Sequence, residues 1–235
     1  MFSKWIDAQA ASGDAGRAID ASAGAAEEFR NGQLHRLREL LRERLTEPPP
    51  AMSQAARVGH ALLLGALFLY SWPFIVADVR SGEAWSGFLH GVNLVFHEAG
   101  HVFMLPFGRF IHVLGGTLGQ LVMPLIVCGS FLFGRRDPVG AAVGLWWFGQ
   151  SLTDCAPYIA DARKLGLPLL GGGTGAERSG HDWEYLLGAT GFAPYDIVLG
   201  NMAKFAGAGI MLIAVGWGTW KLWHTPPAQL DSSMR

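Results

Sequence analysis

Runs of about 20 predominantly apolar residues, the length at which an α-helix crosses the hydrocarbon core of a bilayer, recur along this chain. They cover Val58–Val79, Trp85–Phe107, Phe110–Phe133, Pro138–Ala160 and Asp196–Trp223. In lipid, backbone polar groups must be satisfied within a helix or a closed barrel. The runs show none of the strict alternation of a barrel strand. The expected fold is therefore all-α, a polytopic transmembrane helix bundle of about five spans, embedded in a lipid bilayer. Composition agrees: 50% of the 235 residues are hydrophobic and 16% are charged, against about 25% charged in soluble domains. The 32 glycines suit helices that approach closely. A net charge of -1 offers no electrostatic footprint for nucleic acid. Two cysteines exclude a disulfide scaffold; Cys128 and Cys155 read as small buried hydrophobes.

Residues 1–50 read as an extramembrane segment, residues 51–225 as the membrane domain and residues 226–235 as a C-terminal tail. Met1–Ala26 lacks the apolar core of a signal peptide. Glu27–Glu47 predicts an amphipathic helix, with Leu34, Leu37, Leu41 and Leu45 on one side and Arg36, Arg38, Arg42 and Arg44 among the rest. Pro48-Pro49-Pro50 ends it. If every run spans, the Lys/Arg bias places the N-terminus in the cytoplasm. Arg42, Arg44, Arg57, Arg109, Arg163, Lys164 and Arg178 then share that side, and Arg80, Arg135, Arg136 and Lys221 take the other.

The second run carries the chemistry. His97-Glu98-Ala99-Gly100-His101 reads H-E-x-x-H. Residues four apart lie on one helix face, so His97 and His101 can hold one Zn²⁺. Glu98 is then placed as general base for a water that the zinc activates. Ionisable residues inside a span cost roughly 2.5–3.5 kcal/mol each on insertion scales, and a bound metal is the compensation the motif itself suggests. At about 100° per residue, His90, Asn93, His97 and His101 fall on one arc, with His90 a candidate substrate contact. A catalytic zinc site wants a third protein ligand and an open position. Asp154, Asp161, His181 and Asp182 are the candidates. Asp154 leads, at membrane depth beside the helix-kinking Pro157. His181 is its rival, in a Gly-rich loop long enough to fold back over the site. Asp182 is expected to cap a short helix. Gly115, Gly116 and Gly119 allow close backbone approach. Gln120, an unusual residue for a span, is a candidate to orient substrate or to bond a neighbouring helix. Lys204 is expected to snorkel or to pair with an intramembrane aspartate.

At these residues the chain resembles the site-2-protease family of intramembrane zinc metalloproteases. The likeness runs from about Ser86 to Ala162. The family's first core helix carries H-E-x-x-H, matched by His97, Glu98 and His101. Its last core helix carries an aspartate ligand, for which Asp154 would be the counterpart; the glycine that follows the family's aspartate is absent here, where Cys155 stands. The resemblance implies a zinc metallopeptidase that cleaves a peptide or membrane-protein substrate in or near the bilayer. Two other readings use the same residues: a membrane zinc hydrolase of a lipid amide or ester, and a non-enzymatic metal-binding membrane scaffold.

Overall fold

The structure is a computed structural model that describes residues 27–81 and 87–228. The Ala/Gly/Ser-rich stretch 8–26, Trp85 and most of the 226–235 tail lie outside the described residues. The chain forms two units, residues 1–47 and 48–235. In the first, residues 27–46 form helix α1. Arg30–Glu27 and Arg42–Glu39 pair along its surface at 3.6 and 3.5 Å, and Leu34, Leu37 and Leu45 are exposed.

The second unit is a helical bundle; among the described residues it holds only isolated bridges beside its helices. Helix α2 spans Gln54–Val76, opened by Ser53, whose Oγ accepts from the Ala56 amide. Helix α3 covers Phe88–Met104. Helix α4 covers Arg109–Gly129 and runs on through one π-helical stretch, Ser130–Arg135. Helix α5 covers Pro138–Ala160, with Asp137 accepting from the Val139 and Gly140 amides and Pro138 in the first turn, where a missing N–H costs nothing. Helices α6 and α7 cover Asp182–Thr190 and Asp196–Trp223.

Three of these segments are long and apolar enough to cross a membrane: Gln54–Val76, Arg109–Arg135 and Ala193–Trp223. The other two expected spans differ for two reasons. Most of α5 is buried, with Gln150, Ser151, Thr153 and Asp154 facing other helices. A helix shielded by protein answers to its neighbours, not to lipid. Helix α3 has only 17 residues and carries polar groups on its inner face, while Phe88, Val95, Val102 and Phe103 lie exposed on the other.

Glycines set the spacing. A Cβ on Gly149 would lie 2.7 Å from the Gly207 carbonyl oxygen, and one on Gly200 2.7 Å from that of Ala156, so α5 and α7 pack backbone to backbone. Gly100 meets Gly115, and Gly119 meets the Phe96 carbonyl, which brings α3 equally close to α4. Such contacts suit helices whose association rests on packing. Phe74, Trp146, Met211 and Ala214 form one core between α2, α5 and α7, and Trp146 donates to Ser71 at 2.8 Å.

The contacts also sort the helix ends. Arg57 donates to the Thr225 carbonyl, Met52 bridges Pro227, and Leu64, Val139 and Leu222 cluster. The start of α2, the start of α5 and the end of α7 therefore share one end of the bundle. At the other end, Val79 clusters with Ala156 and Ala160, and Lys204 reaches the Ala77 carbonyl instead of an aspartate. Because α4 finishes where α5 starts, α4 begins at this second end, where α2 finished. Helix α3 thus leaves and rejoins the same end. It reaches as far as the middle of α4 and α5, with His101 at His112, Asn93 at Gln150 and Asp154, and Phe96 at Gly119 and Trp147. This corrects the grouping of basic residues expected from five alternating spans. Arg135, Arg136 and Lys221 share an end with Arg57, and Arg109, Arg163, Lys164 and Arg178 share the end that holds Arg80. One segment that turns back instead of crossing inverts every assignment after it.

Candidate metal centre

Helix α3 turns Asn93, His97 and Gly100 into the bundle, as the helical spacing requires. His97 and His101 sit one turn apart, their ring centroids 4.8 Å from each other. Each ring is fixed from behind. Nδ1 of His97 lies 2.9 Å from Gln120 Oε1, and Nδ1 of His101 lies 2.9 Å from the His112 carbonyl oxygen. Both partners only accept, so the Nδ1 atoms carry the protons. The other ring nitrogens converge on one carboxylate: His97 Nε2 and His101 Nε2 lie 2.9 and 3.2 Å from Asp182 Oδ2. One donor atom from each of the three residues lies within 4.8 Å of the others. Two imidazole lone pairs facing a carboxylate call for a cation, either a proton or a metal ion.

The space in front of these nitrogens exists because residue 116 has no side chain. A Cβ there would stand 2.5 Å from both His97 Nε2 and His101 Nε2. Two imidazoles, one carboxylate and an open flank match the donor set of a catalytic zinc site, so the residues fit the metal that the motif predicts. Gly116→Ala is expected to abolish metal binding while leaving the helix in place, since α4 tolerates alanine by propensity. Metal content per purified chain, beside circular dichroism, checks this; full metal occupancy in the variant would refute it.

Asp182 reaches the site from outside the bundle's long helices. It is the first residue of α6, and its amide donates to the Tyr158 hydroxyl at 3.0 Å. Burial pushes its carboxyl up, but a protonated His101 and His97, donating from Nε2, outweigh that and hold it below the ordinary carboxylate range. The cap of α6 is His181, one residue earlier than expected: its Nδ1 accepts from the Glu184 amide at 3.1 Å. The ring is buried, stacks on Tyr158 at 4.2 Å between centroids and turns Nε2 toward Asp161 Oδ2 at 3.6 Å. Burial lowers the His181 pKa. Asp161, one of the candidate ligands, in turn accepts from the Gly166 and Leu167 amides, pinning the loop that returns over the site. Arg163 pairs with Asp196 at 2.7 Å.

The structure therefore does not bring Asp154 or His181 to the histidine pair. Asp154 is buried beside His90, whose Nδ1 lies 3.0 Å from its Oδ1, and accepts from Asn93 at 3.2 Å. Asn93 also donates to Gln150 and accepts from Trp147 and Ser151. In this structure the carboxylate at membrane depth is held by this polar network, apart from the His97–His101–Asp182 cluster. Gln120 lines the same cavity; its Oε1 lies 2.9 Å from His97 Nδ1, and its Nε2 donates to the Ser151 carbonyl at 3.3 Å, the bond to a neighbouring helix that is one of its two expected roles. Partners that orient a metal-binding histidine typically hold 10–100-fold in affinity. Gln120→Leu is expected to weaken metal binding by about that factor, read by competition with a chelating dye; unchanged affinity would remove Gln120 from the site.

A cavity of about 730 Å³ joins these groups. His97, His101 and Asp182 line it together with half-buried Glu98, and His90 with Asp154 forms another stretch of its wall. Leu94, Val113, Leu169 and Leu170 make the rest largely apolar. Sequence reasoning did not single out His112, Gly116 or Tyr158 for these duties, because each acts through a contact between elements distant in the chain. No protein-family model, curated protein or solved structure matches this chain.

Proposed function

We propose that the chain is an integral-membrane zinc metallopeptidase that hydrolyses peptide bonds in or near the bilayer. The observation that carries this reading is the convergence of His97 Nε2, His101 Nε2 and Asp182 Oδ2 on one point of a cavity that Glu98 also lines. His97, His101 and Asp182 would hold the metal. Bound there, zinc supplies Lewis acidity toward water and toward the substrate carbonyl. Glu98 accepts the proton that the attacking water gives up and returns it to the departing amine. Gln120 and the His112 carbonyl keep the imidazoles in the binding tautomer. The apolar wall receives side chains flanking the scissile bond, and the loop pinned by Asp161 covers the site from outside the bundle.

The resemblance to site-2 proteases supports the H-E-x-x-H helix and its chemistry. The proposed third ligand departs from that pattern, since Asp182 follows the last helix the likeness covers. The test is metal analysis of detergent-purified protein followed by chelation. About one zinc per chain, with peptide hydrolysis lost on chelation and regained on adding zinc, is expected. Protein that takes up no zinc on reconstitution at neutral pH would overturn the reading. Release of fatty acid with peptides left intact would replace it with a lipid hydrolase.

A further inference from the structure

The two ends of the bundle are not equivalent, and the metal centre belongs to one of them. Asp182 is carried by the segment between α5 and α7, which leaves and re-enters at the end where α2 finishes and α4 begins. His97 and His101 lie on a helix that reaches the middle of α4 and α5, at Gly119 and Trp147, and ends again near the start of α4, where His101 meets His112. The start of α2 and the end of α7 lie at the opposite end, tied by Arg57 to Thr225 and Met52 to Pro227.

We propose that the metal centre opens on the non-cytoplasmic face of the membrane, opposite the start of α2 and the end of α7, and takes polypeptide presented at that face. The substrate clause rests on the metallopeptidase reading; the sidedness rests on packing and charge. Orientation follows Lys and Arg counted within about 15–20 residues of the span ends, and the first span usually dominates. Before and at the start of α2 stand Arg36, Arg38, Arg42, Arg44 and Arg57; after it stands Arg80 alone until α3. The short connection between α4 and α5 adds Arg135 and Arg136 to the same end as Arg57. Connections shorter than about 60 residues all count in this rule, and this one is basic at the end away from the metal. The end that carries the centre has Arg80, Arg109, Arg163, Lys164 and Arg178, fewer than the Arg57 end with Lys221 of α7 included, and Lys204 lies inside α7. Cytoplasmic placement of the Arg57 end puts Asp182 on the far side. A bond reached by this centre then lies toward the outer interface of the bilayer, in a segment that is translocated or membrane-proximal on that side.

The experiment labels single added cysteines in the full chain expressed in cells, using a maleimide that does not cross membranes. Gly134→Cys marks the exposed last turn of the π-helical stretch that leads into the α4–α5 connection, where a side chain meets open space, and Ala176→Cys marks the exposed loop before α6. The parent chain, with Cys128 and buried Cys155, is the blank. Labelling of Ala176→Cys on intact cells, with Gly134→Cys labelled only after permeabilisation, is the expected result. The reverse pattern overturns the sidedness and turns the centre to the cytoplasm. Equal labelling of both on intact cells, or of neither until permeabilisation, puts both sites on one side of the membrane, so that α5 does not cross, and overturns the sidedness. Metal content and hydrolysis are measured on the same variants and on the parent chain. Their absence from the parent chain, with the expected labelling, counts against the metallopeptidase reading and leaves the sidedness standing.

Discussion

Asp182→Ala is expected to strip the protein of its metal, and Asp154→Ala to leave it bound. Asp182 Oδ2 is the carboxylate oxygen 2.9 and 3.2 Å from the two Nε2 atoms, so the variant leaves two ligands where a catalytic site uses three. The loss in affinity should exceed the roughly 10–100-fold typical of outer partners. Asp154→Ala acts elsewhere. It removes the acceptor for His90 and one of the acceptors for Asn93. Hydrogen bonds to a charged group contribute about 1.5–3 kcal/mol each, so that variant should melt earlier in detergent while keeping zinc. Zinc per chain after dialysis, with thermal unfolding alongside, separates the two. A metal-free Asp154→Ala protein with metal retained in Asp182→Ala would reverse the assignment and restore the aspartate that the family resemblance implies.

Glu98→Gln is expected to keep the metal and lose about 10²–10⁴ of the hydrolytic rate. Glutamine fills the same volume and keeps the polarity of the cavity wall, but it cannot accept a proton. Glu98 is not one of the three residues whose donor atoms converge, so metal content should not change. Hydrolysis of a membrane-inserted reporter peptide at equal zinc occupancy measures the effect. A variant as fast as the parent chain would show that the carboxylate does not handle the proton and would shift the chemistry to another group on the cavity wall.

Much of the scaffold is legible in single residues. Pro138 after Asp137 marks the start of α5, and the helix ends at Ala160 as the apolar run does. The run from Asp196 to Trp223 is α7 without adjustment. The H-E-x-x-H spacing puts His97 and His101 on one face whatever surrounds them, because 3.6 residues per turn is a local property. The arc from His90 to His101 faces inward for the same reason. The short helix at 182–190 is legible as well, although its cap is His181 and not Asp182, since an imidazole Nδ1 serves as acceptor as readily as a carboxylate there.

The sequence by itself determined that the chain is helical and membrane-like, where its long helices lie, and that two histidines and a glutamate share one turn. Those properties follow from hydrophobicity and helical period, which act over a few residues. Only the tertiary structure decided which carboxylate completes the cluster, that Gly116 keeps the place open, and that α3 leaves and rejoins the same end of the bundle. Each of these depends on atoms brought together from 15 to 85 positions apart, as Gly116 and Asp182 are from His101 and His97. No local pattern encodes such a meeting; it is settled by how closely the glycines let α3, α4, α5 and α7 approach, and by the polar groups that must then find partners in the space that remains.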